Sequence, residues 1–170
     1  MPRPIINIDA LEPRRFDAIR PNAPESYRGA TLAPISGLIG AQRLGYNITA
    51  VPPDKAAFPA HNHHGNEEMF FVLEGEGELR VGDERHAIRK GDFIACPPGG
   101  PETAHQIRNT GTVELKYLAV STSRTPDLVQ YPDSEKIGAM HLLGRDANGF
   151  PKAIRILGRE ADNLDYWDSE

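Results

Sequence analysis

Short apolar runs, separated by glycine and proline, dominate the chain from residue 45 to about residue 124. Tyr46, Ile48 and Ala50 alternate with polar residues, and this period of two is typical of a half-buried strand. The glycines at Gly82 and Gly91, each followed by aspartate, predict tight turns. Further strands are predicted at residues 68–73, 78–81, 86–89, 93–96, 104–109 and 113–120. No helix is predicted among them, so we expect an all-β domain closed as a barrel or jelly roll, without long open edges.

The two ends of the chain differ from this core in their sequence pattern. Residues 1–44 are expected to form an N-terminal arm, in which Ile5, Ile6 and Ile8 could make a short docking strand. Residues 125–170 are expected to form a C-terminal tail that the aromatic residues near its end pin to the barrel or to a partner. Long helices in the arm are excluded by Pro2, Pro4, Pro13, Pro21, Pro24 and Pro34. Because no internal repeat is present, we interpret residues 1–170 as one domain and exclude a duplicated two-barrel protein.

The strand predicted at 68–73 indicates which side chains lie inside the barrel. Phe70 and Val72 share the parity of the first residue of this strand, so both should face the interior. Met69, Phe71 and Leu73 then point outward and form an apolar face, which should not be left exposed to solvent. The arm, the tail or a second subunit could cover this face, and we predict a homodimer.

The composition excludes several classes of protein. The chain of 170 residues is 39% hydrophobic and 25% charged, which is ordinary for a globular protein. Its net charge is −5 and its basic residues are scattered, so a nucleic acid partner is not expected. Cys96 is the only cysteine, which excludes an intramolecular disulfide and is typical of a reducing compartment. Without a signal peptide or an apolar run of the ~20 residues that cross a bilayer, we expect a cytoplasmic protein and no membrane partner.

A group of histidines and glutamates carries the candidate chemistry. His61 and His63 are two residues apart, and a strand would place both on one face with Cα atoms ~7 Å apart. Both rings could then converge on one ion. Glu67, Glu68 and the later His105 complete a set of residue types that bind first-row transition metals.

The spacing of these residues resembles the first motif of the cupin superfamily. His61-x-His63 is followed after four residues by Glu68 and after six more by Gly75, as in that motif. The interval to Gly75 favours Glu68 over Glu67 as the metal-binding carboxylate, and Glu67 is expected to be solvated.

A second stretch resembles the second cupin motif. Gly91 is followed after five residues by Pro97-x-Gly99, and then by His105 and, after three intervening residues, Asn109. The five-residue segment before His105 is three residues longer than the usual two, so a longer loop should reshape the mouth of the site. Two motifs in order at fixed spacing are a far stronger signal than a single His-x-His pair.

The resemblance implies a double-stranded β-helix, with its core at about 45–124, that holds one divalent transition metal inside the barrel. The metal would be Fe, Mn, Ni, Zn or Co, and its ligands would be His61, His63, Glu68 and His105. Four protein ligands on a six-coordinate ion would leave two positions for water, substrate or dioxygen. Beyond the motifs, the chain is similar to an uncharacterised bacterial subfamily of single-barrel cupins, which implies no established activity.

The other side chains that could carry chemistry are expected to have structural or surface roles. His64 has the opposite strand parity to its neighbour and should lie at the surface or behind a ligand. His86 lies among the charged residues of a hairpin, and His141, in the tail, has no predicted partner. Cys96 should be buried and inert, and Asn109 should end its strand.

Together these features predict a metal-dependent enzyme that acts on a small molecule inside the barrel. The reaction would be dioxygenase-like or isomerase/decarboxylase-like, and no residue declares itself as the general base. The alternative is a non-catalytic small-molecule binding or sensory cupin, because the fold alone does not choose between them. A third interpretation is a barrel whose metal is structural.

Overall fold

The computed structural model describes residues 3–146 and 151–169, and β-strands dominate them. The strands are β1 Arg14–Arg15, β2 Thr31–Pro34, β3 Leu44–Val51, β4 Asn62–His63, β5 Glu68–Glu74, β6 Glu76–Val81, β7 Glu84–Arg89, β8 Phe93–Cys96, β9 His105–Arg108, β10 Leu115–Thr122, β11 Asp127–Tyr131, β12 Lys136–Arg145 and β13 Pro151–Gly158. Two four-residue helices, α1 Phe16–Ile19 and α2 Ser36–Ile39, lie in the arm, as its prolines predict. Single 3₁₀ turns occur at Ile8–Ala10, Glu25–Tyr27, Pro101–Thr103, Pro132–Ser134 and Glu160–Asp162. None of the helices in this described part is long and apolar enough to span a membrane.

The strands form three antiparallel sheets that enclose one core. The first sheet has the order β1-β2-β3-β10-β5-β8, the second β13-β12-β11-β4 and the third β7-β6-β9. A single bridge between His61 and His105 links the second sheet to the third, with backbone N–H···O bonds of 2.8 and 3.2 Å in the two directions. The two smaller sheets therefore form one layer that faces the six-stranded sheet. This arrangement confirms the predicted all-β jelly roll.

The core lies between these two layers. Its most completely buried side chains include Val51, Val72, Leu115 and Tyr117, all from the six-stranded sheet. Phe70 and Val72 face inward and are buried, which confirms the parity predicted for β5. Removing these apolar side chains from water at ~25 cal/mol per Å² is the main term that stabilises the barrel.

The outward face of β5 is only half covered. Met69, Phe71 and Leu73 are partly buried, and the ring of Phe71 packs against that of Phe93 with 4.4 Å between centroids. Phe93 itself, on the edge strand β8, is 74% exposed. The cover that a second subunit would give to this face stays a prediction.

The strand predicted for Ile5, Ile6 and Ile8 is wrong. Ile8 begins a 3₁₀ turn, because the Asn7 side chain accepts a hydrogen bond from the Asp9 N–H at 2.9 Å and so caps the turn. The arm instead contributes β2, which pairs with β3 in the first sheet. Local capping by a polar side chain outweighed the apolar pattern at this point.

The tail contains more regular structure than its sequence predicts. Strand β11 pairs with β4, and β12 and β13 extend that sheet. The terminal aromatic residues do not pack on the barrel of this chain, because Tyr166 is 84% and Trp167 72% exposed. Their rings contact each other with 4.8 Å between centroids, and Trp167 N–H bonds the Asp165 carboxylate. The alternative that they pack against a partner stays a prediction.

Asn109 joins three segments of the barrel end. Its side chain is fully buried, its Nδ2 donates to the carbonyls of Val51 and Val113 at 2.7 and 2.8 Å, and its Oδ1 accepts from Gly111 N–H at 2.9 Å. The expectation that Asn109 ends its strand is confirmed. The buried bonds further tie the end of β9 to β3 and to the start of β10.

We predict that Asn109→Ala lowers the free energy of unfolding by about 2–4 kcal/mol, because it leaves buried backbone groups without partners. Urea denaturation measures the change. Thr110→Ala, at the exposed neighbouring position, is the matched control and should cost less than about 0.5 kcal/mol. Equal stability of the two variants would contradict this role of Asn109.

Candidate metal centre

Three separate strands bring the predicted site residues together. His61 and His63 flank the start of β4 on one face, Glu68 begins β5, and His105 begins β9. The backbone bridge between His61 and His105 fixes these two residues side by side, with ring centroids 4.9 Å apart. Each side chain is thus held by a strand end on the rigid barrel.

The imidazoles converge on a single carboxylate oxygen. Glu68 Oε2 lies 3.0 Å from His105 Nε2, 3.5 Å from His63 Nε2 and 3.7 Å from His61 Nε2. The donor atoms of His61, Glu68 and His105 all lie within 4.8 Å of one another. His63 is not a member of that mutual group, although its Nε2 approaches the same oxygen. The structure therefore brings all four predicted residues around one point, with His63 as the outlying member.

The opposite nitrogen of each ring faces a hydrogen-bond acceptor. His61 Nδ1 lies 2.9 Å from the carbonyl oxygen of Pro59, and His105 Nδ1 lies 3.3 Å from that of Thr103. His63 Nδ1 lies 2.6 Å from Asp127 Oδ2. Because carbonyls and carboxylates only accept, the Nδ1 atoms must carry the protons. A neutral ring then presents a bare Nε2 to the centre, so that four acceptor atoms point at one another.

The electrostatics of the metal-free cluster reflect this crowding of acceptors. Burial acts to lower the pKa of His63, but hydrogen bonds and charge interactions with Asp127 and Glu68 outweigh it and raise that pKa to about 9. Burial acts to raise the pKa of Glu68, but the close approach of the three imidazoles and the charge of protonated His63 outweigh it and hold that pKa well below its ordinary value. In the absence of another cation, the proton on His63 compensates one of the two carboxylate charges and leaves the cluster with one net negative charge.

Asp127 is the functional residue that the sequence did not reveal. It lies in β11, within the stretch interpreted as a tail, and its buried carboxylate bonds His63 and the Gly65 N–H. Tyr131, at the other end of the same strand, stacks on His61 with 5.9 Å between ring centroids. The alternation of Asp127, Val129 and Tyr131 is the signal that could have found this strand. No local spacing indicates which histidine each residue contacts.

A cavity of about 250 Å³ opens beside Glu68 and His63. Its polar walls include Asn47, Asn66, Ser121, Ser123, Arg124 and Asp127. Gly45 keeps this mouth open, because a Cβ at that position would lie 2.7 Å from the Ser121 hydroxyl oxygen. On the other side of the cluster, the hollow between His61 and Phe70 holds only about 20 Å³. The cluster is therefore open to its surroundings on the polar side.

The long loop before His105 has a defined structure. Residues Pro101–Thr103 form a 3₁₀ turn, and its last residue supplies the carbonyl that faces His105 Nδ1. The extra residues thus orient one imidazole of the cluster.

The remaining candidates lie outside the cluster, as predicted. Glu67 is exposed, and His64 is exposed with its Nε2 2.8 Å from Gln130 Oε1. His86 is exposed beside Glu84. The exposed His141 has a partner that the sequence did not indicate, the Thr125 hydroxyl at 3.1 Å. Cys96 is buried, as predicted, and burial raises the pKa of its thiol to about 12, which disfavours the reactive thiolate.

Comparison with known proteins agrees with this geometry. Residues 47–121 match the cupin domain family. The structure of a sugar phosphate isomerase from Silicibacter pomeroyi covers 97% of this chain and 98% of its own, with TM-score 0.73 and 23% identity. That of a proposed sugar phosphate isomerase from Acidithiobacillus ferrooxidans covers 79% and 80%, with TM-score 0.64 and 27% identity. The family match covers the segment that carries both histidine motifs, and the fold around it is similar to that of the Silicibacter pomeroyi cupin.

Among curated relatives, the oxalate-binding protein of Thermotoga maritima is 32% identical over 68 residues. The match covers 40% of this chain and 54% of that relative, so the chain spans about half the length of this relative.

We predict that the metal-free protein loses stability as the pH rises through 9. The folded-state pKa of His63 is raised from 6.5 to about 9, so the stabilisation is complete below pH 6.5, declines above it and is lost above about pH 9. Urea unfolding of chelator-treated protein should give a free energy on the order of 3 kcal/mol lower at about pH 9.5 than at about pH 6. His63→Gln should flatten this dependence, and a wild-type protein with equal stability at both pH values would refute it.

Proposed function

We propose that this protein is a metal-dependent cupin that acts on a small polar molecule in the cavity beside Glu68. One divalent transition metal, of the series Fe, Mn, Ni, Zn or Co, would be held by His61, His63, Glu68 and His105. The observation that carries the proposal is the convergence of three Nε2 atoms on Glu68 Oε2 while each Nδ1 faces an acceptor.

The donor set fits a metal for a simple electrostatic reason. Four acceptor atoms that point at one centre repel each other unless a proton or a cation lies among them. Imidazole and carboxylate donors suit first-row divalent metals, and bonds at Nδ1 are the usual means of orienting such imidazoles. Asp127 has this orienting role for His63, and backbone carbonyls have it for His61 and His105.

The chemistry that a metal would supply here is polarisation of a bound oxygen atom. Three neutral imidazoles and one carboxylate would leave a divalent ion with a net charge of +1. The residues of the chain bind and orient the substrate: the hydroxyls and amides of the cavity wall can hydrogen-bond to an oxygen-rich molecule, and the apolar side of the cluster excludes water. We favour isomerase/decarboxylase-like chemistry over the dioxygenase-like alternative, and the likeness to the Acidithiobacillus protein supports this choice.

The second candidate is a non-catalytic binding protein. The similarity to the Thermotoga maritima relative, an oxalate-binding protein that is 32% identical over 68 residues, favours it. Both candidates need the metal, and they differ in turnover. A screen of sugar phosphates and small keto and dicarboxylic acids with the metal-loaded protein separates them, and an iron-containing preparation adds oxygen consumption to the screen.

We predict that protein purified without chelator contains about one transition metal ion per chain. His105→Ala should abolish this content, because it removes a donor from the centre, and Asp127→Asn should lower metal affinity by roughly 10- to 100-fold through loss of the orienting carboxylate. Elemental analysis and competition with a chelator measure the two effects. Affinity should also fall as the pH falls below about 9, because the metal must displace the proton on His63.

His86→Gln is the matched control, since this histidine is exposed on β7 and outside the cluster. Its metal content should equal that of the wild type. A wild-type protein without stoichiometric metal, or a His105→Ala variant with full metal content, would overturn the proposed function.

A further inference from the structure

A groove of about 960 Å³ lies between strands β7 and β8, and it shares no lining residue with the cavity beside Glu68. The two strands follow each other along the chain but belong to different sheets. Each is the last strand of its sheet, so one of its edges makes no strand pairing within the described residues. Open edges of this kind can pair with a further extended segment.

The barrel is uncovered where β7 borders this groove. Glu84 and His86 pair with Val81 and Leu79 of the neighbouring strand. Paired residues share a face of the sheet, so both side chains have the parity of the core. Leu79 is buried, but Glu84 and His86 are exposed and line the groove. The inner face of the sheet is therefore open at this end.

The charge of the groove is negative. Four carboxylates line it, those of Asp83, Glu84, Asp92 and Glu102. The guanidinium of Arg80 also lines it, but this cation already bonds the Asp133 carboxylate at 2.7 and 2.9 Å. An occupant of this acidic groove should therefore be extended and carry positive charge.

Strand β13 has the complementary properties. It is the edge strand of the four-stranded sheet, and residues 151–159 contain three basic residues and no acidic one. Its side chains Ile154, Ile156 and Leu157 are 56%, 69% and 59% exposed. The outward apolar side chains of β5, by contrast, are half-buried. The apolar surface with the greater need for cover is therefore the basic strand β13.

The ribbon that β13 forms with β12 extends beyond the rest of its sheet. Strand β11 pairs with β12 as far as Met140, and residues 141–145 pair with β13 alone among the described strands. A two-stranded ribbon is only marginally stable by itself in water. The ribbon would therefore gain stability from a surface outside its own sheet.

The end of β13 and the acidic groove lie next to each other. Pro101 and Pro132 line the groove and also line a second hollow, of about 510 Å³, to which Arg159 contributes. A two-fold axis at this border would place each β13 against the groove of the other copy. A contact of this kind, made twice about one axis, closes as a dimer and does not continue into a filament.

We propose that two copies of this chain form a closed dimer in which β13 of each copy docks in the acidic groove of the other. A second copy is the occupant because one chain offers both the acidic groove and a basic, uncovered strand of sufficient length. Strand β7 has six residues and β13 eight, which correspond to about 20 and 27 Å at ~3.4 Å per residue. The inference goes beyond the proposed function and does not depend on it.

The test is a charge exchange in the full-length chain, with the dimer measured by analytical ultracentrifugation. The wild type should be a dimer. Lys152→Glu/Arg155→Glu on the strand, and separately Asp83→Lys/Glu84→Lys on the groove, should each weaken the dimer by about 100-fold or more, because like charges then meet. The combination of all four substitutions should restore the dimer. All four residues are exposed, so the variants should fold, which their melting temperatures verify.

Arg3→Glu/Arg43→Glu is the matched control, because it changes the net charge by the same amount at two exposed residues that lie outside β13 and the groove. Its dimer should be as stable as that of the wild type. A monomeric wild type, or a combined variant that stays monomeric, would refute the docking of β13. Met69→Glu, on the outward face of β5, tests the other surface: a dimer that this substitution disrupts and both double variants leave intact would refute the proposal in favour of that face.

Discussion

The backbone bridge between His61 and His105 is the constraint on which the site depends. It connects the two smaller sheets into one layer and, in the same contact, places two imidazoles side by side over Glu68. A barrel closed at this point cannot relax to separate the donors, because each is held at a strand end. The repulsion among acceptors is therefore built into the fold, and a cation or a proton at the centre relieves it.

The tail closes the same site from outside the motif region. Strand β11 adds to β4 and delivers Asp127 to His63 and Tyr131 to His61. Asp127 adds a second buried carboxylate and raises the pKa of His63, so the cluster has a greater need for a compensating positive charge. Stability of the metal-free barrel and affinity for a cation thus depend on the same few contacts.

Comparison with solved cupin structures supports the fold and leaves the reaction to the details of the site. The Silicibacter pomeroyi structure covers 97% of this chain with TM-score 0.73, whereas the match to the Thermotoga maritima relative covers 40% of it. The mouth of the site is a polar cavity beside Glu68 and His63. The candidate ligands alone do not choose a reaction, because they are common to several chemistries.

The sequence by itself determined the strands between residue 45 and about residue 120, the inward face of β5 and the four candidate ligands with Glu68 in preference to Glu67. These are local properties: a period of two, turn glycines and motif spacing all act within a few residues. The apolar pattern was an insufficient guide at two places. The tail aromatics are exposed because they find no docking surface on this chain. Ile5, Ile6 and Ile8 form no strand because a capping side chain favours a turn there. Only the tertiary structure decided that Asp127, 64 residues beyond His63, bonds its ring. Such pairings depend on which strands become neighbours, and that is set by the packing of the whole barrel.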